Sequence, residues 1–384
     1  MLTANGERFL ATKKEAVEMN CPENLGRLWN SIQTWLLPEL EDEIGELDGK
    51  HREFVAVCEA CAPQDHIAGY RWVGNGCPPK DRLALCKAFI AKAVWDFPTT
   101  RALIDAIRHR PTLRRLCSWE ILGEVPSEAT FSRTFAVFAQ DRLPQRIQQA
   151  MIKERHGDKL VGHISRDGTA IHAREKAAKK EARQEVVPKK RGRRPKGEPC
   201  PPPDPTRMQQ QLGRSLAENL ADLPQDCDWG CKKNSQGKGE CWRGYKLHID
   251  SIDGDLPVSW LVTSASLHDS QAAIPLAQMS AALVTSLYDL ADAAYDAEPI
   301  REMSRRLGHV AIIDYNPRRG EKLEFTPAEA VRYRERSTAE RVNSHLHDSH
   351  GGRHVRVRGA TKVAAHLSFG LLVIAAEQMF NMLC

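Results

Sequence analysis

Three carboxylates, Asp167, Asp292 and Glu340, stand where this sequence can hold a chemical centre. Asp292 follows the short apolar run LYDLA (287–291), which reads as a buried strand, and a helical pattern begins soon after it. A carboxylate at the exit of such a strand is held rigidly and points into the crevice at the strand's carboxyl end. HISRDGTAI (163–171) reads as a second strand carrying Asp167, and YRERSTAERVNSHLH (333–347) as a polar helix carrying Glu340. Two strand-borne aspartates and a helix-borne glutamate make an oxygen-ligand set for Mg²⁺, with Mn²⁺ as the substitute. Such ions, about 3.5–4 Å apart, serve phosphoryl transfer by offsetting charge on the attacking and leaving oxygens. On the helix, Tyr333, Arg336 and Glu340 are spaced three and four apart and share a face. An arginine one turn before the glutamate can orient it or hold a phosphate.

Each acid also has a plainer reading. Asp167 precedes Gly168 and can be a turn residue, Asp292 can cap a helix, and Glu340 can be one surface charge among many. Asp289 is a rival for the second acid, although strand alternation places Asp292 on the opposite face from it. Asp314, at the end of the next strand, is a weaker rival. His268 and Asp269 fall near the same crevice, with structural roles expected of them.

Elements that would position these residues follow in order along the chain. Residues 1–150 read as helical, with three- and four-residue apolar spacing in 24–44, 82–97, 97–119 and 125–143. Thr99 or Thr100 is the expected cap of the third of these, and Phe131, Phe135 and Phe138 are expected core. Arg108, Arg110, Arg114, Arg115 and Arg133 are candidate phosphate contacts on this part. After the strand at 159–171 come two more strand candidates, 245–252 and 256–265, separated by the hairpin signal Asp253-Gly254-Asp255. A helix at 266–283, the strand before Asp292, a helix at 297–308 closed by Gly308 and a strand at 309–314 complete the pattern. Hairpins first and helix–strand alternation afterwards predict an α/β fold, a mixed sheet with flanking helices. The domain division expected is 1–150 and 151–384.

Between the first two strands lies HAREKAAKKEARQEVVPKKRGRRPKGEPCPPPDP (172–205), basic, Pro-rich and poor in apolar residues. This stretch is expected to be solvated or disordered rather than core, and the insertion it belongs to is placed at about 172–240. Arg191, Arg193 and Arg194 at its centre suit DNA contact, in the manner of short Arg-Gly-Arg-Pro segments that lie along narrow minor grooves. Cys227, Cys231, Cys241 and His248 have the residue types of a zinc site at loose spacing, and Cys58, Cys61 and Cys77 contain a single unmatched CxxC.

A chain of 384 residues with 41% hydrophobic and 27% charged residues has room for two or three domains of ordinary composition. Its net charge of +5 averages over basic clusters at 174–196, 301–306 and 353–362 and an acidic one at 39–48. Eleven scattered cysteines and an N-terminus without an apolar run predict reduced thiols and a cytoplasmic protein. The run 364–383 approaches membrane length, but His366, Glu377, Gln378 and Asn381 within it predict a buried helix and no membrane partner.

In its ordered combination of motifs the chain resembles DDE transposases of bacterial insertion sequences. SRDGTAI resembles their first-aspartate strand, ADAAYDA their second-aspartate motif, and VAIIDYNPRRG the strand and basic loop that follow. Residues 82–143 look like the helical N-terminal part of a large insertion-sequence group. The family's Tyr, two residues, Arg, three residues, Glu, six residues, Lys signature is matched by Tyr333, Arg336 and Glu340, with His347 in place of the lysine. The resemblance implies a ribonuclease H-like core, Mg²⁺ dependence, and catalysis by Asp167, Asp292 and Glu340. It implies double-stranded DNA as partner, as element terminal repeats and as target, and a homodimer or higher assembly in the bacterial nucleoid. Tyr333, Arg336, His347, Arg318 and Arg319 would contact that DNA. Three other readings remain open: a nuclease of the same fold that cuts without joining, a decayed or domesticated transposase that only binds DNA, and a zinc-stabilised DNA-binding module, which would need the cysteines to be metallated.

Overall fold

The computed structural model describes residues 21–69, 74, 80–179, 204–233, 237–317, 321 and 323–382. Arg191, Arg193, Arg194, Arg318, Arg319 and Cys77 lie outside the described residues.

Before the first strand the described chain is helical: α1 (Cys21–Ser31), a π-helical turn, α2 (Leu37–Ile44), α3 (Gly49–Cys61), α4 (Arg82–Val94), α5 (Thr100–His109), α6 (Pro111–Leu116), α7 (Glu128–Gln140) and α8 (Leu143–His156). Thr99 is the cap of α5, its hydroxyl accepting from the Ala102 N–H at 3.0 Å. Pro111 then ends the expected long helix by starting a new one. Phe131, Phe135 and Phe138 are buried around Phe89.

The strands are β1 (Leu160–His172), then, after α9 (Arg207–Gln211) and α10 (Leu216–Asp222), β2 (Asp228–Lys233), β3 (Gly239–Ile252) and β4 (Leu256–Ser264). Next come α11 (Ser270–Ala281), β5 (Thr285–Ala291), α12 (Glu298–Arg306) and β6 (Val310–Ile313). The chain closes with α13 (Pro327–Tyr333), α14 (Ser337–Ser349) and α15 (Ala360–Asn381). The sheet is ordered β2-β3-β1-β5-β6, with β4 also on β3. β3 is antiparallel to β1 and β4, while β5 and β6 run parallel to β1. This mixed sheet with helices on its faces is consistent with a ribonuclease H-like DDE domain.

Two turn acids do more than reverse the chain at 253–255. Asp253 accepts from the Gly162 and His163 N–H groups at 3.1 and 3.2 Å, pinning the start of β1. Asp255 accepts from Arg341 Nε at 2.8 Å and so fastens α14 to the hairpin.

The helices before β1 do not close a core of their own. One apolar cluster runs from Leu85, Phe89 and Phe131 through Phe369, Leu372 and Phe380 of α15 to Ile252 and Val258 of the sheet. Gln148 of α8, fully enclosed, donates to the Pro257 carbonyl and accepts from Trp260 Nε1, both at 2.9 Å. Helix α15 is the apolar run at the C-terminal end of the sequence; 83% of its most apolar window is buried within the protein.

Within the insertion, Gln211 of α9 and Asn219 of α10 are completely buried against α11, with Gln211 donating to the Gln271 carbonyl and Asn219 to Gln278. Polar side chains can be core when their donors are satisfied in this way.

Candidate active site

Register decides which acids meet. The last pair between parallel β1 and β5 is Arg166↔Ala291, so Asp167 and Asp292 are the next residues on neighbouring strands. At that point β5 ends and Asp292 caps a short 3₁₀ turn, its Oδ1 accepting from the Ala294 N–H at 2.9 Å. β1 continues along β3 to His172, so the two acids lie where the pair of strands divides. Gly168 is not a turn residue. A Cβ there would stand 3.1 Å from Asp269 Oδ1 and 3.2 Å from His248 Nδ1, and its absence lets both approach the strand.

Glu340 arrives from above. Side chains on one face of β1 meet α14 and the 3₁₀ turn Arg334–Arg336 before it in a regular ladder. Ser165 Oγ donates to the Glu335 carbonyl at 2.9 Å, Asn343 Nδ2 donates to Asp167 Oδ2 at 3.0 Å, and Thr169 Oγ1 pairs with His347 Nε2 at 3.1 Å. The expected single helix from Tyr333 is therefore α13, a 3₁₀ turn and α14. Tyr333, Arg336 and Glu340 still adjoin: Arg336 pairs with Glu340 and lies 5.8 Å from the centre of the Tyr333 ring.

Asp167 has its carboxyl pushed up to about 6 by burial, with Asp292 and Glu340 adding to the rise and Arg336 opposing it. Asp292 is also raised by burial, and Asp269 and Asp314 add to it. Arg336 is the cation that both acids feel. The site is thus a knot of negative charge around one guanidinium, a donor set of hard oxygens that fits a divalent cation.

Sequence reasoning missed two members, Asn343 and Tyr295, and gave Asp269 and Asp314 lesser parts. Asn343 orients Asp167. Asp269, placed among structural residues, reaches the site from the start of α11, held by Lys246 Nζ at 3.0 Å. Asp314 lies within electrostatic reach of Asp292 and Tyr333. Tyr295 is buried with its hydroxyl unpartnered, in the field of Asp269, Asp167 and Asp292. Only the position of Tyr295 inside the ADAAYDA motif hinted at it.

Rivals and alternatives are also placed. Asp289 is buried on the other face, accepting from Ser304 at 2.6 Å and paired with His309 at 3.1 Å. Burial pushes it up, but His309, Arg166 and Ser304 together hold it below the usual carboxylate range. The zinc candidates do not converge. Cys231 and Cys241 are directly opposed on β2 and β3 and joined as a disulfide, contrary to the expected reduced thiols. His248 points to the opposite face of β3 from Cys241 and meets Thr263 at 2.9 Å. Cys58 and Cys61 are buried in α3, where burial pushes both thiols up.

Comparison with known families adds two matches. Residues 218–375 match the family described as Transposase DDE domain, and residues 51–136 the one described as Transposase domain (DUF772). The first match includes Asp292 and Glu340 and begins after Asp167. No curated protein and no solved structure gives a significant match.

Proposed function

We propose that this chain, which is a DDE transposase of the insertion-sequence type, binds the inverted terminal repeats of its element, cleaves the DNA at the ends and joins the freed 3′-hydroxyl to target DNA. The observation that supports this most is the meeting of Asp167 and Asp292 at the division of β1 from β5, with Glu340 reaching the same place.

Asp167, Asp292 and Glu340 would hold Mg²⁺ or Mn²⁺, which when bound offsets charge on the attacking and leaving oxygens of the phosphodiester. Asn343 and the Gly168 N–H fix the Asp167 carboxylate by hydrogen bonds, so that it would meet an ion in one orientation. Arg336 neutralises Glu340 in the DNA-free protein and is the group placed to take a backbone phosphate beside it. Tyr333 flanks that phosphate position. His347 differs from the lysine of the family signature in more than size. Half-buried against Thr169 and with its pKa lowered by burial, it carries no charge at neutral pH and would touch DNA only as a neutral ring. Arg318, Arg319, Arg191, Arg193 and Arg194 would supply phosphate contacts, so binding should weaken steeply with salt. Joining two ends to one target calls for a homodimer or larger assembly on DNA.

The test is cleavage and joining of a labelled duplex carrying the element's own end, with Mg²⁺ or with EDTA, beside Asp167→Ala, Asp292→Ala and Glu340→Ala. Metal-dependent nicking at the end and a joined product, both lost in each variant while DNA binding persists, is the expected result. Nicking without joining would indicate a nuclease, and binding without cleavage under any metal a non-catalytic DNA-binding protein.

A further inference from the structure

We propose that His345, His350 and Glu377 form a structural site for one transition-metal ion of the zinc class, separate from the acidic site, at the seam where α14 and α15 meet the N-terminal helices. His345 lies five residues after Glu340 on α14, His350 caps that helix, and Glu377 lies near the end of α15. Their ligand atoms converge within 4.8 Å. His345 Nε2 and His350 Nε2 are 3.1 Å apart, His350 Nε2 is 3.4 Å from Glu377 Oε2, and His345 Nε2 is 3.7 Å from it. Nitrogen and oxygen ligands about 2.0–2.1 Å from a tetrahedral zinc stand about 3.3 Å from one another. The three observed edges straddle that value.

The surroundings are those of a ligand set. His350 Nδ1 lies 3.1 Å from the Ala93 carbonyl, which can accept only a proton carried on Nδ1. That bond fixes the ring and presents Nε2 to the cluster, the arrangement in which a second shell orients a ligating histidine. Glu377 Oε1 is buried with no amide, hydroxyl or cationic group donating to it, and the Glu377 carboxyl shares a hydrogen bond with that of Glu53. Glu53 of α3 lies against Glu377, so two carboxylates share the pocket, with Lys50 beside Glu53 at 2.8 Å. A divalent ion would balance them, and Glu53 or a water could complete the tetrahedron. In the sequence HLHDSH (345–350) the two histidines enclose four residues, a spacing zinc ligands use. The donors are imidazole and carboxylate, which suit zinc, whereas the all-oxygen acidic site suits magnesium. An ion here would clamp the helix bearing Glu340 to α3 and α15.

The experiment uses the full chain with zinc added, excess metal removed and metal content measured, in the wild type and in Asp292→Asn to weaken the acidic site. About one zinc per chain in both, a melting temperature several degrees higher with zinc, and a tetrahedral visible spectrum with Co²⁺ are expected. All three should be lost in His345→Ala, whose side chain is partly exposed, and in Glu377→Gln. Folding of each variant is checked by circular dichroism, with His345→Asn in reserve. A folded wild type without stoichiometric zinc, or zinc retained at wild-type stoichiometry in a folded His345 variant, overturns the proposal. Neither result bears on the transposase reading, whose assay depends on the acidic site.

Discussion

At the scale of single residues, the site mixes groups that are balanced with groups that are not. Asp167 and Asp292 are crowded by other acids, and Asp167→Asn, Asp292→Asn or Glu340→Gln should each reduce end cleavage by about a thousandfold or more, since ligands that act as a set fail together. Electrophoretic shifts should show the same DNA affinity within a few-fold. Tyr295 offers a sharper contrast, because its hydroxyl is buried without a partner. Removing an unsatisfied buried hydroxyl usually costs nothing and can return about 1 kcal/mol. Tyr295→Phe is therefore expected to melt at or slightly above the wild-type temperature. A clear loss of stability would mean that the hydroxyl has a partner in solution. Reduced cleavage in the same variant would show that the hydroxyl serves the acids around it.

At the scale of elements, β1 is the ruler against which α14 is set. Ser165, Asp167 and Thr169 each meet a group on the helical segment, and Ser165 holds the 3₁₀ turn that precedes α14. Ser165→Ala should leave the sheet intact yet loosen that turn, lowering kcat by about tenfold while thermal stability changes by about 1 kcal/mol. Equal loss of both, or none of either, would deny the turn a positioning role. The second junction is Gln148, which satisfies a carbonyl and an indole of β4 from α8. Gln148→Ala strands both partners in an apolar surround and should cost about 2–4 kcal/mol by urea unfolding. A change below about 1 kcal/mol would show that water replaces the glutamine.

At the scale of the whole molecule, buried histidines set a pH limit. Burial lowers His248 to about 4 and His366 to about 3, so both are neutral when folded. An unfolded histidine titrates near 6.5, so below that pH the unfolded chain binds more protons. Their contribution is complete above about 6.5 and is lost as pH falls toward 4, by roughly 2 kcal/mol each at pH 5. Asp167, raised to about 6, and Glu53, raised to about 7, act in the opposite direction, stabilising the fold as they take up protons, and Asp292 and Asp250 are raised as well. The histidine contribution is therefore read by difference: the urea midpoint should drop less from pH 7 to pH 5 in a folded His366→Asn than in the wild type, and an equal drop in both would contradict it. Whole-molecule packing also predicts that residues 157–384 expressed alone will aggregate. Without the helices, Phe369, Leu372 and Phe380 of α15 would lose the partners that bury them.

How far the sequence could be read follows from which interactions are local. Strand and helix identity rests on short-range periodicity, so β1, β5, β6 and α12 were legible, as were Thr99 as a cap and the turn at 253–255. Asp167, Asp292 and Glu340 could be singled out as candidates because each sits at a marked place on its own element. Distance in sequence hid the remainder. Asp269 approaches β1 beside Asp167 because Gly168, the next residue of that strand, leaves room for it, and Asn343 meets Asp167 because α14 lies along β1. Composition gave no sign that Gln211 and Asn219 would be core, because the hydrogen bonds that hold them run to α11, some sixty residues away. Scattered cysteines gave no sign that Cys231 and Cys241 face each other, since pairing across β2 and β3 is a matter of register. The sequence by itself determined the elements and the acids they carry. Tertiary structure decided which acids share a crevice and joined the N-terminal helices to the sheet through α15, because strand register and side-chain packing are fixed only when distant segments meet.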